Sequence, residues 1–325
     1  MARKKKFKNN AGVQILVGIV VFIAIVFLGN LHDTNLLDSL SDVVETDSLE
    51  NVDNSDNNST VVTNVDGDLI IDYIDVGQAD SILIRQGDAA MLIDGGTSEC
   101  RDDLLTFLSD KNIDKFEYII GTHTHEDHIG SLDDVVNSYD FDTFLFPNTT
   151  ATTKTFENLV LAVQQKNKKF TVPQVGQEYS LGEARFQILA PNSDEYSSAN
   201  NYSIVIKLTY GSNTFLFTGD AESLSEQEIL DTGFDVNADV LKIGHHGSTT
   251  STSKEFLDKV SPKFAVISVG ENNSYNLPTK TTMEKLQEKN IPVYRTDEQG
   301  TIECISDGTN ITFNVNPGSY AYMED

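Results

Sequence analysis

The stretch His123-Thr124-His125-Glu126-Asp127-His128 follows directly on the apolar run Tyr118-Ile119-Ile120. It brings three imidazoles and acidic side chains onto one loop at the end of an expected strand. Imidazole nitrogens and carboxylate oxygens are the ligands that Zn²⁺ and related divalent metals use in proteins. The stretch therefore predicts a metal site at the end of a strand.

The other ligand-type residues repeat this pattern. Five of the six histidines lie either in His123–His128 or in the pair His245-His246. Asp94 and Asp220 also stand at the ends of expected strands, next to glycines. Four strand ends that carry such residues indicate one convergent pocket.

Charge is distributed unevenly along the chain. The net charge is −27, yet residues 1–30 hold five cations and no acid, which leaves 18 Lys and Arg against 50 Asp and Glu in the rest. A body this acidic repels phosphate backbones at long range. Any chemistry on nucleic acid would therefore depend on local metal charge.

An apolar run over residues 11–28 predicts a transmembrane signal-anchor over 11–31, preceded by a basic cytoplasmic tail, 1–10. Its length suits a bilayer, and the cations before it predict a cytoplasmic amino terminus and an extracellular body. We thus expect a single-pass protein of the cell membrane. The alternative is a cleaved secretory signal, which would usually have a shorter apolar run and a small-residue cleavage site.

Residues 32–67 predict a disordered acidic linker, with nine acids and no Lys or Arg over 32–66. Such a composition cannot bury enough apolar surface to fold. From residue 68, short apolar runs such as Ala89–Ile93 alternate with Gly-containing turns and with helical patterns. We predict one α/β domain of packed sheets with helices outside, residues 68–317, followed by a tail, 318–325.

Three motifs resemble the metallo-β-lactamase superfamily of metallo-hydrolases: the histidine run, the turn Thr218-Gly219-Asp220, and the run Gly244-His245-His246-Gly247-Ser248. Two further segments, Asp75–Ser81 and Val293–Asp297, are similar to the extracellular hydrolase domain of ComEC-type competence proteins. The resemblance covers about residues 68–315. It implies an αββα sandwich with the site at one edge of the two sheets.

The resemblance also implies a set of metal ligands. It assigns His123 and His125 to a first metal position, Asp127 and His128 to a second, Asp220 to a bridge between them, and one of the pair His245-His246, here taken as His245, to the second. Asp127 and Asp220 are the expected catalytic residues, since a metal-held hydroxide needs such carboxylates beside it.

Other residues are assigned supporting or substrate-binding roles: Asp94, Asn201, Ser203, Lys242, His246 and Ser248. Asp94 would fix a histidine tautomer, or simply form a turn with its two glycines. Lys242 would stabilise an oxyanion or be solvated. Ser248 would bind phosphate in a Ser/Thr loop or belong to an ordinary loop. Cys100 and Cys304 would pair or stay free.

Two departures from the family pattern bear on activity. No histidine lies between 128 and 245, where many members supply a third imidazole to the first metal; Asn201 and Ser203 match the ComEC-type branch there. Where that branch has a histidine in Asn-x-Tyr-Gly-His-Pro, this chain has Leu277. Both departures concern the supply of imidazoles to the site.

The predicted function is that of a membrane-anchored extracellular hydrolase with one or two divalent ions, Zn²⁺ or else Mn²⁺. The resemblance implies phosphodiester substrates, DNA or nucleotides, attacked by the metal-held hydroxide. The alternatives are a metal-poor binding module of the cell surface and a thioester or lactone hydrolase.

Overall fold

The computed structural model describes residues 44–46 and 67–322. The predicted cytoplasmic tail, the predicted anchor over 11–31 and most of the predicted linker lie outside these residues. Within the described part, no helix is long and apolar enough to cross a membrane. Val44–Thr46, inside the predicted linker, form a short strand.

Sixteen strands are found in the described residues. In chain order they are β1 (Val44–Thr46), β2 (Leu69–Tyr73), β3 (Ile82–Gln86), β4 (Ala89–Ile93), β5 (Lys115–Ile120), β6 (Asp140–Leu145), β7 (Phe170–Val172), β8 (Glu178–Leu181), β9 (Ala184–Ala190), β10 (Val205–Tyr210), β11 (Asn213–Phe217), β12 (Val240–Lys242), β13 (Phe264–Ile267), β14 (Val293–Arg295), β15 (Ile302–Ser306) and β16 (Ile311–Phe313). They form a nine-stranded sheet of order β1-β7-β6-β5-β4-β3-β2-β15-β16 and a seven-stranded sheet of order β14-β13-β12-β11-β10-β9-β8.

The first sheet begins as the expected meander. β2, β3 and β4 pair antiparallel, and the two-residue turn Gly87-Asp88 joins the last two. Gly87 has φ 58, a left-handed conformation that tight hairpin turns require and that glycine adopts without a side-chain clash. β4, β5, β6 and β7 then run parallel, with helices in the connections.

Helices connect many of the strands. They are α1 (Arg101–Asp110), α2 (Glu126–Ile129), α3 (Leu132–Ser138), α4 (Lys154–Gln165), α5 (Ser223–Asp231), α6 (Lys254–Val260), α7 (Lys280–Glu288) and α8 (Thr296–Gln299). Short 3₁₀ turns cover Ser98–Cys100, Ala199–Tyr202 and Gly244–Gly247.

Two apolar clusters organise the layers. The first lies between the sheets and joins residues such as Ile84 and Met91 of the nine-stranded sheet to Phe186 and Leu208 of the other. The second joins the far face of the seven-stranded sheet to helices α5, α6 and α7, for example through Phe256. The predicted αββα sandwich is confirmed, because burial of both faces of a sheet requires a layer on each side.

The carboxyl-terminal residues that the structure describes contact the body of the domain. Residues 318–322, predicted as a tail, bind to the body: the Gly318 amide donates to the Val293 carbonyl (2.7 Å) and the Tyr320 hydroxyl to the Ile291 carbonyl (2.8 Å). Cys100 and Cys304 are both free and buried.

Candidate metal centre

The predicted ligands meet at one edge of the sandwich. In the nine-stranded sheet, the parallel strands β4 and β5 lead into Asp94 and into the histidine loop, residues His123–His128. In the seven-stranded sheet, the parallel strands β11 and β12 lead into Asp220 and into His245-His246. Each sheet therefore supplies half of the site, and sequence segments more than 100 residues apart converge there.

Asp127, His128, Asp220 and His246 form one group, which we call the second metal position. His128 Nε2 lies 3.3 Å from Asp220 Oδ2, and His246 Nε2 lies 3.3 Å from Asp127 Oδ2. His128 Nε2, His246 Nε2 and Asp220 Oδ1 are buried and find no hydrogen-bond partner within the described part of the chain. Buried polar atoms are normally paired, so these three convergent lone pairs fit a divalent cation.

Both imidazoles of the second position are oriented through their other nitrogen. His128 Nδ1 lies 2.8 Å from Asp94 Oδ2, and His246 Nδ1 lies 2.9 Å from the Ser268 carbonyl. A proton on each Nδ1 leaves each Nε2 free as a ligand, which is the usual arrangement around metal-bound histidines. Asp94 is itself held by the amide of Thr122 (2.8 Å). Asp94 thus contacts the His128 imidazole, a contact of the kind that fixes a histidine tautomer.

A second group, His123, His125 and Asp220, is called the first metal position. His123 Nε2 lies 3.0 Å from His125 Nδ1 and 3.9 Å from Asp220 Oδ2. His123 is buried, whereas His125 is exposed. This position thus shares Asp220 with the second but draws its two imidazoles from one loop.

Ser203 and Asn201 support Asp220 from the chain segment before β10. The Asp220 amide donates to Ser203 Oγ (3.1 Å), and the same oxygen lies 3.4 Å from His123 Nδ1. Asn201 accepts a hydrogen bond from the Glu222 amide (3.2 Å), just after Asp220. Ser203 therefore touches ligands of the first position, while Asn201 holds the loop that follows the bridging carboxylate.

His245 and His246 have different positions in the structure from those predicted. His246 belongs to the second position in place of His245. His245 Nε2 lies 3.6 Å from Asp220 Oδ2, its Nδ1 contacts Thr250 Oγ1 (2.9 Å), and its side chain is 26% exposed at the rim. Both residues have left-handed φ, 50° and 52°, a strained turn that separates the two adjacent rings.

Lys242 is buried rather than solvated or directed at substrate. Its Nζ donates to Asp80 Oδ2 (2.9 Å) and to the Ile243 carbonyl (3.1 Å), and both partners of the ion pair are almost fully buried. Asp80 also binds the site through its backbone, since its amide donates to the Asp127 carbonyl (3.1 Å). Asp80 belongs to the Asp75–Ser81 motif, but nothing in that motif predicts its ion pair with Lys242.

Electrostatics couple the carboxylates to the imidazoles. Burial raises the pKa of Asp220, but attraction to His128 and His246 holds that pKa well below its usual value. Burial lowers the pKa of His246, yet the carboxylates of Asp220, Asp127 and Asp80 raise it to about 10. A metal ion entering the second position must therefore displace a proton from His246 at neutral pH.

A cavity of about 350 Å³ opens onto the two positions. It is lined by Gln78, His125, Glu126, Asp127, Asp220, His245, His246, Tyr275 and Leu277. Lys242 and Ser248, both considered as substrate contacts, do not line it. Ser248 instead lies beside the rim, where its Oγ is 3.1 Å from Thr250 Oγ1.

With this fold and site, the class of protein is defined. Residues 74–271 match the Metallo-beta-lactamase superfamily, and the chain belongs to that family. This confirms the predicted family and agrees with the arrangement of His and Asp groups at the sandwich edge. The chain therefore has the fold and the candidate metal ligands of this superfamily.

The most informative relatives are competence and recombination proteins. The chain is 31% identical over 265 residues to ComE operon protein 3 of Bacillus subtilis, covering 76% of this chain and 34% of that protein. It is 32% identical over 237 residues to Recombination protein 2 of Haemophilus influenzae, covering 71% of this chain and 28% of that protein. The chain thus spans about a third of the length of these relatives.

A solved structure with a related chain trace is the metallo-beta-lactamase fold protein YhfI of Bacillus subtilis. It is 16% identical, with a TM-score of 0.47 over 72% of this chain and 99% of that one.

Proposed function

We propose that this chain is a membrane-anchored extracellular phosphodiesterase that acts on DNA or nucleotides with one or two divalent ions, Zn²⁺ or Mn²⁺. The observation that carries the proposal is the convergence of unpaired buried lone pairs on a cavity open to solvent. A structural zinc site would be closed by four tight ligands, whereas hydrolytic sites keep an open side. The kinship with competence and recombination proteins supports a nucleic-acid substrate.

The roles of the residues follow from their positions. When bound, divalent ions at these positions would acidify a water molecule and polarise the phosphorus–oxygen bonds of the substrate. Asp220 would be shared between the positions and would fix their separation. His128 and His246 would offer Nε2, because Asp94 and the Ser268 carbonyl take the Nδ1 protons.

Asp127 has a further role at the cavity surface. Its side chain is 34% exposed and borders the cavity. Burial raises the pKa of its carboxyl, but His128 and His246 lower it to about 2, so the group is ionised at neutral pH. Its free oxygen can accept a hydrogen bond from the attacking water and orient that water toward the substrate.

The test combines metal analysis with a substrate screen on the full chain. We expect at least one tightly bound ion per chain and hydrolysis of bis(p-nitrophenyl) phosphate and of an oligodeoxynucleotide. His123→Ala and Asp220→Ala should abolish this hydrolysis, while Asp88→Asn, an exposed acid away from the site, should not. Full activity in either site variant would refute the assignment.

The same screen separates the alternatives. Less than one ion per chain and no turnover would favour the metal-poor binding module. Turnover of a thioester or a lactone, with none of the two phosphodiesters, would favour the other class of hydrolase. Both outcomes contradict the proposal.

The membrane anchor is proposed from the sequence of residues 11–31 alone. Expressed in a bacterial cell, the full chain should sediment with membranes, and protease added outside intact cells should degrade its domain. A chain that lacks residues 1–31 should be soluble. Full protection of the domain in intact cells would overturn the proposed orientation.

A further inference from the structure

One wall of the cavity is apolar and aromatic. The segment between β13 and α7 contributes Tyr275 and Leu277 to the lining, and we call these two residues the Tyr275 wall. Tyr275 is 70% exposed, and only Leu224, at 52%, is also an exposed large hydrophobic residue in the described part of the chain. Leu277 is 7% exposed and stands where the ComEC-type pattern has a histidine.

The segment that carries the Tyr275 wall is held rigidly. Asn273 Nδ2 donates to the Gly270 carbonyl (2.9 Å) and to the Leu277 carbonyl (2.7 Å). Asn273 Oδ1 accepts from the amides of Tyr275 and Leu277, both at 3.1 Å. A backbone that is already fixed loses little conformational entropy when a ligand packs against the side chains it carries.

Charge limits how a phosphodiester can be held at this cavity. The lining includes three acidic residues, Glu126, Asp127 and Asp220, and neither Lys nor Arg. Outside the metal positions, only the His245 imidazole and neutral groups of the lining can contact a negatively charged substrate. An exposed aromatic ring is such a group, since every nucleobase has a face that can stack on it.

We propose that Tyr275 is a stacking platform for one nucleobase of a single-stranded substrate, next to the phosphodiester that is cleaved. The inference rests on the proposed function and names the contact that selects the substrate. A base in a duplex is already stacked on its neighbours, whereas a base in a single strand is available. A cavity of about 350 Å³ is near the lower end of the usual range for ligand pockets and suits one nucleotide rather than a duplex.

The first experiment measures binding, without turnover. A single-stranded oligothymidylate that carries one 2-aminopurine is titrated with the full-chain, metal-loaded protein, and fluorescence is read before cleavage. Stacking on the ring should quench the probe in the wild type and in Tyr275→Phe. Tyr275→Ala should lose the quenching and bind at least about fivefold more weakly, the lower range for the loss of one base–aromatic stack.

Two controls make the binding result specific. Leu224→Ala removes the other exposed large hydrophobic side chain, on α5, and should bind as the wild type does. An oligonucleotide of the same length with abasic tetrahydrofuran units should bind equally to the wild type and to Tyr275→Ala. Unchanged quenching and affinity in Tyr275→Ala, or equal losses for the abasic strand, would overturn the stacking role.

Cleavage assays distinguish this proposal from the proposed function. If the wild type binds and quenches but hydrolyses no phosphodiester, the stacking platform stands and the phosphodiesterase assignment fails. If Tyr275→Ala and the wild type cleave oligothymidylate with the same KM and kcat, the phosphodiesterase assignment stands and the platform fails.

Discussion

The two metal positions share Asp220 but are supported very differently by the fold. The second position takes its residues from the ends of β5, β11 and β12, and therefore from both sheets. Its imidazoles are buried, and each has a fixed acceptor for its Nδ1 proton. The first position takes two of its three residues from one loop, and one of these, His125, is exposed.

Metal affinity depends on the groups that orient the ligands as well as on the ligands themselves. Ligands that are oriented before the metal arrives lose less freedom when it binds. We therefore expect the second position to hold its ion tightly and the first to exchange its ion. Substitutions at and behind the two positions test this asymmetry.

Asp220→Asn should have the largest effect, because Asp220 is the only residue common to both positions. Turnover of a phosphodiester should fall on the order of 10³-fold or more, since the metals contribute several kcal/mol to the reaction. Atomic emission should detect less than one ion per chain. Retention of two ions would show that the positions do not depend on a shared carboxylate.

Lys242→Met should be the most destabilising change behind the second position. It removes the ammonium partner of the buried Asp80 carboxylate and leaves only the His246 imidazole facing it, which should lower the free energy of unfolding by about 3–5 kcal/mol in urea denaturation. The double variant with Asp80→Asn removes both charges and should recover most of the loss. Equal stability of the single and double variants would contradict this account.

The same pair predicts a dependence on pH. Burial raises the pKa of Asp80, but attraction to Lys242 and His246 overrides this and lowers it. A carboxyl with a lowered pKa stabilises the fold above its unfolded pKa of about 3.9, and this contribution is lost as the pH falls below that value. The difference in stability between the wild type and Lys242→Met should therefore shrink in acid.

His246→Ala and His245→Ala form a matched pair at adjacent positions. His246→Ala should weaken metal binding at the second position by more than the roughly 10–100-fold typical for the loss of an orienting partner. His245→Ala should leave that affinity unchanged, because His245 lies at the rim. Competition with a chromophoric chelator measures both affinities. A larger loss in His245→Ala than in His246→Ala would show that His245 is the ligand.

Asp94→Asn should weaken the second position by about 10–100-fold without removing a ligand. The change keeps an acceptor for the Thr122 amide but loses the charge that faces the His128 imidazole. Chelator titration should show a lower affinity for the tightly bound ion of the second position only. An equal loss of affinity at both metal positions would mean that Asp94 acts on the fold as a whole.

Ser203→Ala is the counterpart at the first position and should have the smallest effect. It removes one hydrogen bond to the Asp220 amide and a contact with His123. One such bond is worth roughly two- to tenfold in affinity. The metal affinity of the first position should change, and that of the second position should stay the same.

The local part of the site could be predicted from the sequence. His123, His125, Asp127, His128 and Asp220 all lie in the centre, because each follows a short apolar strand and cannot move far from its end. Packed sheets could also be predicted from the sequence, and the family resemblance implied that they form an αββα sandwich. Alternating apolar runs with glycine turns such as Gly87-Asp88 can bury their side chains only as packed sheets.

Tertiary structure alone decided the remaining features, all of which depend on contacts between distant segments. Whether His245 or His246 enters the second position depends on two left-handed residues and on the Ser268 carbonyl. The partner of Lys242 lies 162 residues away in the chain. Val44–Thr46 become a strand because Phe170–Val172 offer an edge for pairing. The sequence predicts the ligands that lie together on one loop. The packing of the two sheets decides which side chains from distant segments join those ligands.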